Sequence, residues 1–385
     1  MKDKDFELVK DLENWLLNSD IRIKEGGDRG GFFGWKKIDA SDKASKYPFI
    51  YNEITGYSLS CFSYLYKETK EIEYIQSMKQ TVEYFKKNIT KDNLLNTGKR
   101  EDKDFKEKGI LENQVYSFDN GIILAGLLNY YKVTRDQGVF RMAEELANAL
   151  IKYFFRNEQI HYALLDENLS PMTYGFEKWS TRIGSYHAKL GIGFFDLYSI
   201  TGNQTYLRIC NELCKFAISM QNMEGGFLNN PDNYNQIYLH PHLYTCEGIT
   251  YVGSLVNDTK LLIQGLKGIE WAISNMTLTG GVPRSNIDRT DQADCTSQLL
   301  RLLLLYGKEL EIHLKLPEDK IEQSVNTLHN RLIGFFIDSE KAIRYNEHSN
   351  FACTWCSMFT LQALIFWTKR NNKKYEIPPK IEFFI

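Results

Sequence analysis

Ionisable side chains with aromatic neighbours recur at one kind of place along this chain of 385 residues, at the start of strongly apolar segments. Glu53 lies between Tyr51 and Tyr57, and Asp119 with Asn120 opens a run that continues through Ile122, Leu124, Leu127 and Leu128. Trp179, Arg182, Tyr186, His187 and Lys189 precede or open a third such segment. His240, His242, Tyr244 and Glu247 open a fourth, and Arg284, Arg289, Asp291 and Asp294 a fifth. Paired carboxyl groups can protonate a leaving oxygen and activate a water, the acid/base chemistry of glycosidic cleavage. Imidazole titrates near neutrality and suits proton transfer at a sugar carbon. Tyrosine and tryptophan offer an apolar face and a polar edge, which fits a sugar ring. A guanidinium pairs with a carboxylate in bidentate fashion, so Arg182 and Arg289 suit an acidic sugar.

Each of these residues also has a structural reading. Asp119 and Asp291 stand where helix N-caps stand, Glu53 can satisfy a neighbouring helix end, and a lone His187 can be a hydrogen-bonded core residue. His240, His242 and Glu247 include metal-ligand types. However, an i,i+2 pair does not share one helical face, and no H-E-x-x-H pattern is present. Cys353 and Cys356 form a single C-x-x-C without a second pair, which reads as packing. The expectation is therefore a site without metal or cofactor. Asp119 is expected as general acid, partnered by Glu53, Glu247 or Asp291, with His187 and His240 or His242 as alternative proton carriers. Tyr51, Tyr57, Trp179, Arg182, Tyr186, Lys189, His242, Tyr244, Arg289 and Asp294 are expected to bind substrate.

The elements that must position these groups repeat. A polar or glycine-containing start leads into an apolar helix, then a break, then an amphipathic helix. Copies begin at Tyr51, at Tyr116, near Ile183, at His242, at Asp291 and near Phe351. Thr69, Thr134 and Thr201 close the first three apolar helices at spacings of 65 and 67 residues. The last copy has no second helix, and the helix expected over residues 6–17 is the unpaired one that would complete it. Apolar helices imply an inner layer and amphipathic ones an outer layer. The expected fold class is all-α, a single (α/α)6 toroid over residues 1–385, with the N-terminal helix pairing with the last inner helix. Gly-rich segments at 26–35, 224–230 and 279–285 cannot continue a helix and mark connections.

Composition narrows the field. With 47 basic and 49 acidic residues the chain has no cationic footprint for nucleic acid or an anionic membrane. No run of eighteen apolar residues exists for a membrane span. The charged first seventeen residues lack the apolar core of a signal peptide, and seven cysteines, an odd number, suit reduced thiols. A cytoplasmic protein is expected. Aromatic residues make up 14% of the chain, enough to fill a core and also line a sugar cavity.

At these residues the chain resembles a toroid family associated with surface-polysaccharide biosynthesis. The resemblance is carried by Tyr51-Asn52-Glu53-Ile54-Thr55-Gly56-Tyr57, by Ser185 to Lys189, by His240 to Gly248, and by Arg289-Thr290-Asp291, over about residues 25–370. Asn52 stands where that family has proline. More distantly the chain is similar to unsaturated glucuronyl hydrolases, N-acylglucosamine 2-epimerases and glucuronyl C5-epimerases. The resemblance implies a carbohydrate partner. Four readings follow: a glycoside hydrolase-like enzyme on an oligo- or polysaccharide, a sugar epimerase using histidine, a non-catalytic glycan-binding or assembly protein, and a terpenoid-cyclase-like toroid. The last would need an acidic D-x-D-D that Asp291 to Cys295 does not supply.

Overall fold

A computed structural model describes residues 2–101, 112–172, 178–230 and 235–371. It is helical, starting with α1 (Lys2–Asn18), and its described residues form two compact units. The first unit draws on Leu16–Ile183 and Leu190–Leu213, the second on Met1–Trp15, Gly184–Lys189 and Cys214–Ile381. None of the described helices is long and apolar enough to cross a membrane.

The first unit holds the short α2 (Lys43–Lys46), the hairpin of α3 (Asn52–Thr69) and α4 (Ile72–Asn88), the hairpin of α5 (Ser117–Thr134) and α6 (Gln137–Phe154), and α7 (Gly191–Thr201). In α3 and α5 nearly every residue of the first three turns is buried, whereas α4 and α6 bury one face only. Helices buried on all sides must let neighbours approach closely. A Cβ on Gly56 would lie 2.9 Å from Ile123 Cα, and one on Gly126 would lie 2.4 Å from the Gly56 carbonyl. Both α3 and α5 stop at a left-handed residue, Lys70 at φ 63° and Arg135 at φ 60°, whose N–H returns to a carbonyl of the last turn. That cap ends a helix and reverses the chain into the next one.

After α8 (Gln204–Ser219), the second unit contains α9 (Leu239–Leu255) with α10 (Thr259–Ser274), α11 (Ala293–Leu314) with α12 (Glu318–Ile333), and α13 (Thr354–Asn371). From α1, Asp5 accepts a hydrogen bond from the Trp367 indole of α13 at 3.2 Å, and His329 of α12 stacks on the same indole at 4.1 Å.

Among the apolar helices, starts depart from the sequence reading by three residues or more at three places. The third apolar helix begins at Gly191, because Ser185–Leu190 winds as a tighter 3-10 turn in which the His187 N–H bonds the Gly184 carbonyl. The fourth begins at Leu239, three residues early, and so places Pro241 in the first turn, where its missing N–H costs nothing. The sixth begins at Thr354, after an extended Phe351–Cys353. Two-residue and three-residue ladders matter more than their size suggests. Phe49–Tyr51 pairs with Gly98–Arg100, Val115–Tyr116 pairs with Leu164–Leu165, and each first-named strand runs straight into α3 or α5.

One connection device recurs. Gly30 (φ 98°) seats against α4, where a Cβ would lie 2.1 Å from the Gln80 carbonyl. Gly225 (φ 102°) seats against α10, where a Cβ would lie 2.6 Å from the Lys267 carbonyl. Gly202 (φ 71°) has the same kind of backbone but open space around it. Gly202→Ala should therefore cost about 1 kcal/mol from backbone strain alone. Gly225→Ala, which adds a backbone clash, should cost clearly more in urea unfolding; equal losses in the two variants would remove the docking argument.

Candidate active site

In the first unit the strand-to-helix entries put Glu53 in the first turn of α3 and Asp119 in the first turn of α5. Asp119 is not the N-cap. That position is Tyr116, which makes no side-chain cap, so the Asp119 carboxylate is available for another partner. The Thr97 hydroxyl donates to its Oδ2 at 2.7 Å. Both carboxyl groups are buried, with 8% of Glu53 and 1% of Asp119 exposed. Burial disfavours a charge, and it dominates here. Glu53 is pushed up to about 8, by burial first and then by the Asp119 charge, against the Tyr51 phenol and the Lys178 ammonium. Asp119 is pushed up to about 6 by burial, with Lys178 and Thr97 pulling the other way. The order is therefore set by neighbours: Asp119 gives up its proton first, and Glu53 holds one through neutral pH. Lys178 rests over the Tyr116 ring at 4.7 Å, and Trp179 meets Phe118 edge-on at 5.6 Å. Tyr57 is buried in α3. Tyr51, Lys178, Trp179 and Arg182 are partly exposed.

The second unit places the other candidates in separate environments. His240 and His242 leave α9 in different directions, as two residues apart on a helix must. His242 is fully buried: the Phe227 N–H donates to its Nδ1 at 3.1 Å, so Nε2 carries the hydrogen and faces the Gly268 carbonyl at 3.0 Å. Burial holds it neutral, down at about 4. His187 is likewise buried beneath Tyr186, ring centroids 4.2 Å apart, and burial pulls it down to about 3. His240 keeps 15% of its side chain exposed. Its Nδ1 lies 2.7 Å from Gln298 Oε1 and 3.6 Å from Asp294 Oδ2. Both neighbours only accept, so Nδ1 carries the hydrogen and Nε2 is left as the basic nitrogen. Tyr244 packs on the ring at 4.3 Å, and the Trp355 indole donates to Asp294 at 3.1 Å.

Glu247 is the centre of a buried ion cluster. Lys189 bonds its Oε2 at 2.6 Å and Arg301 its Oε1 at 2.7 Å, while Arg301 also donates to Gln362 at 2.8 Å. Burial pulls Lys189 down to about 8 in spite of the carboxylate beside it. Asp291 accepts from Thr277 and Thr279 at 2.7 and 2.6 Å and from Arg331 at 2.6 Å, tying the turn before α11 to α12. Arg289 donates to the carbonyls of Asn275 and Met276 at the end of α10. Glu247, Asp291, Arg289 and His242 thus each have a full structural duty. Among the described residues, His240, Asp294 and Cys295 are the grouping that could hold a metal ion, their donor atoms lying within 4.8 Å of one another. All seven cysteines are buried and unbridged.

Sequence reasoning missed Thr97, Lys178, Gln298 and Arg301. Arg301 left a signal, a lone charge inside the apolar run from Leu299 to Leu304. Thr97 left none, because nothing local distinguishes it from any loop threonine.

Comparison with known proteins places the fold. A cellobiose 2-epimerase from Bacillus thermoamylovorans B4167 matches with a TM-score of 0.74 at 14% identity, over 94% of this chain and 99% of that one. A D-mannose isomerase matches with a TM-score of 0.74 at 12% identity, over 96% and 98%. An inactive variant of an alpha-1,6-mannanase of Salegentibacter sp. HEL1_6, in complex with alpha-1,6-mannotetrose, matches with a TM-score of 0.65 at 13% identity, over 94% and 98%. The fold class is thus all-α, of the (α/α)6 toroid type. No curated protein matches in sequence. The chain belongs to the family of the beta-L-arabinofuranosidase GH127 catalytic domain, which matches residues 32–237, more than half its length. It is a carbohydrate-active enzyme.

Removing one partner from a buried ion cluster leaves an uncompensated charge, at a cost of roughly 3–5 kcal/mol. Arg301→Met should lower unfolding stability by about that amount, whereas Lys308→Met, which removes one partner of an exposed pair, should leave it almost unchanged. Similar small losses in both would show that the Glu247 cluster is not an anchor.

Proposed function

We propose that the chain is a glycoside hydrolase acting on an oligo- or polysaccharide, with Glu53 as proton donor and Asp119 as base. The observation that carries the reading is the pair of buried carboxyl groups in the first turns of two adjacent apolar helices, inside the family-matched residues, with neighbours that split their protonation. Glu53 protonates the glycosidic oxygen as the bond to the anomeric carbon breaks. Asp119 takes the proton of the attacking water. The sequence alone favoured Asp119 as the acid; the stronger upward shift of Glu53 supports the reverse assignment. Trp179, edge-on to the Phe118 ring next to Asp119, supplies the stacking face in this reading, and Arg182 the guanidinium for an acidic sugar. The family description makes a beta-L-arabinofuranoside the first substrate class to test. A place beside surface-polysaccharide synthesis rests on the sequence motifs quoted above.

One observation favours a second reading, a sugar epimerase. His240, with Nε2 basic and Asp294 behind it, can move a proton at a sugar carbon, whereas His187 and His242 are walled in.

With 4-nitrophenyl beta-L-arabinofuranoside as probe, kcat/KM should be bell-shaped. It should rise as Asp119 ionises near pH 6 and fall as Glu53 ionises near pH 8. Glu53→Gln and Asp119→Asn should each lower kcat by roughly 10²–10⁴-fold with the melting temperature retained. Full activity in either variant removes that residue from the mechanism. Solvent deuterium appearing at a sugar carbon without cleavage, and lost in His240→Gln, would put the epimerase in its place.

A further inference from the structure

The segment Leu95–Thr97 is a strap between the two helices that carry the carboxyl pair. The Asn120 side chain, from the first turn of α5, brackets Leu95: its Oδ1 accepts from the Leu95 N–H and its Nδ2 donates to the Leu95 carbonyl, both at 2.9 Å. From the first turn of α3, Asn52 Nδ2 donates to the Asn96 carbonyl at 2.7 Å, and the Asn52 N–H donates to the Thr97 carbonyl at 2.9 Å. The Asn52 amide is itself held by the Tyr84 hydroxyl at 2.8 Å. The Thr97 N–H donates to the Gln114 carbonyl at 2.8 Å. Thr97 is fully buried, and its two backbone groups are occupied by those bonds. Its hydroxyl therefore arrives at Asp119 Oδ2 with a fixed position and one hydrogen to give.

We infer that Thr97 is a positioning residue for the carboxyl pair, delivered by this strap so that its hydroxyl, together with the Lys178 ammonium and against the Glu53 carboxyl and its Tyr51 partner, makes Asp119 the carboxyl that ionises first. A hydroxyl proton pointed at a buried carboxylate favours its charged form and has nothing to offer the neutral form's own O–H on that oxygen. The strap explains why Asn stands at position 52. Its side chain does the holding, where a proline would supply neither the N–H to Thr97 nor the amide to Asn96. The catalytic meaning rests on the hydrolase reading; the effect on Asp119 does not.

The test reads Asp119 directly, by 13C NMR titration of protein labelled at the aspartate carboxyl carbons, with the Asp119 signal assigned by its loss in Asp119→Asn. Thr97→Val, nearly isosteric and lacking the hydroxyl, should raise the Asp119 midpoint by about one pH unit, and Thr97→Ser should restore it. Should the valine not fold, Thr97→Ala removes the same hydroxyl with less bulk. A midpoint unmoved in the variant lacking the hydroxyl, or one moved as far in Thr97→Ser as in Thr97→Val, overturns the inference. If wild type turns over the 4-nitrophenyl glycoside, the acidic limb of its profile should move with the NMR midpoint. A shifted midpoint in a protein that hydrolyses no glycoside would leave the Thr97 inference standing and sink the hydrolase reading alone.

Discussion

A carboxyl group sealed into an apolar interior keeps its proton unless donors are aimed at it. Glu53 and Asp119 occupy equivalent places, in the first turns of two helices buried on all sides, and both feel the favourable end of a helix dipole. The dipole does not win: burial raises both groups, which a half-charge at a helix end cannot offset once water is gone. What separates the two is the side-chain company each keeps. The Lys178 ammonium and the Thr97 hydroxyl pull Asp119 down, whereas Glu53, though it also has the Tyr51 phenol, carries the added push of the Asp119 charge. The chemistry of the first unit is set by that asymmetry.

The same helix-start position serves a different purpose elsewhere. Glu247, two turns into α9, is reached by both Lys189 and Arg301, and its oxygens are spent on them. Asp291 is spent on Arg331 and two threonines, and His242 on a backbone N–H and a backbone carbonyl. Residue types are alike in the two sets; donors in excess make a structural anchor, and donors in deficit make a group with a proton to exchange. His240 stands between, partly exposed and held at Nδ1 by Gln298.

The short ladders explain how a helical protein holds such groups still. Tyr51 and Tyr116 end strands that continue into α3 and α5 without a loop, so backbone pairing fixes where each first turn begins. Tight glycine connections press against neighbouring helices in the same rigid manner. Strand, strap and glycine turn together leave the first turns of α3 and α5 little freedom, which suits a reaction whose rate depends on placing a proton within hydrogen-bond reach.

Hydrophobic period and glycine punctuation are local properties, and they were enough for the hairpin repeat, the apolar and amphipathic alternation and the all-α fold class. Helix starts such as Gly191 and Thr354 escaped because a 3-10 turn and a short strand both look like apolar helix to a period count. Glu53 and Asp119 stood out from local composition, as did the cluster around His240. Which carboxyl holds the proton, which histidine reaches solvent, and which acid is tied up as an anchor depended on Thr97, Lys178, Arg301 and Gln298. These lie 22 to 125 residues away from the groups they govern. Such partners are chosen by packing, and a pKa is decided by whatever packing brings within a few ångströms, so only the tertiary structure could assign them.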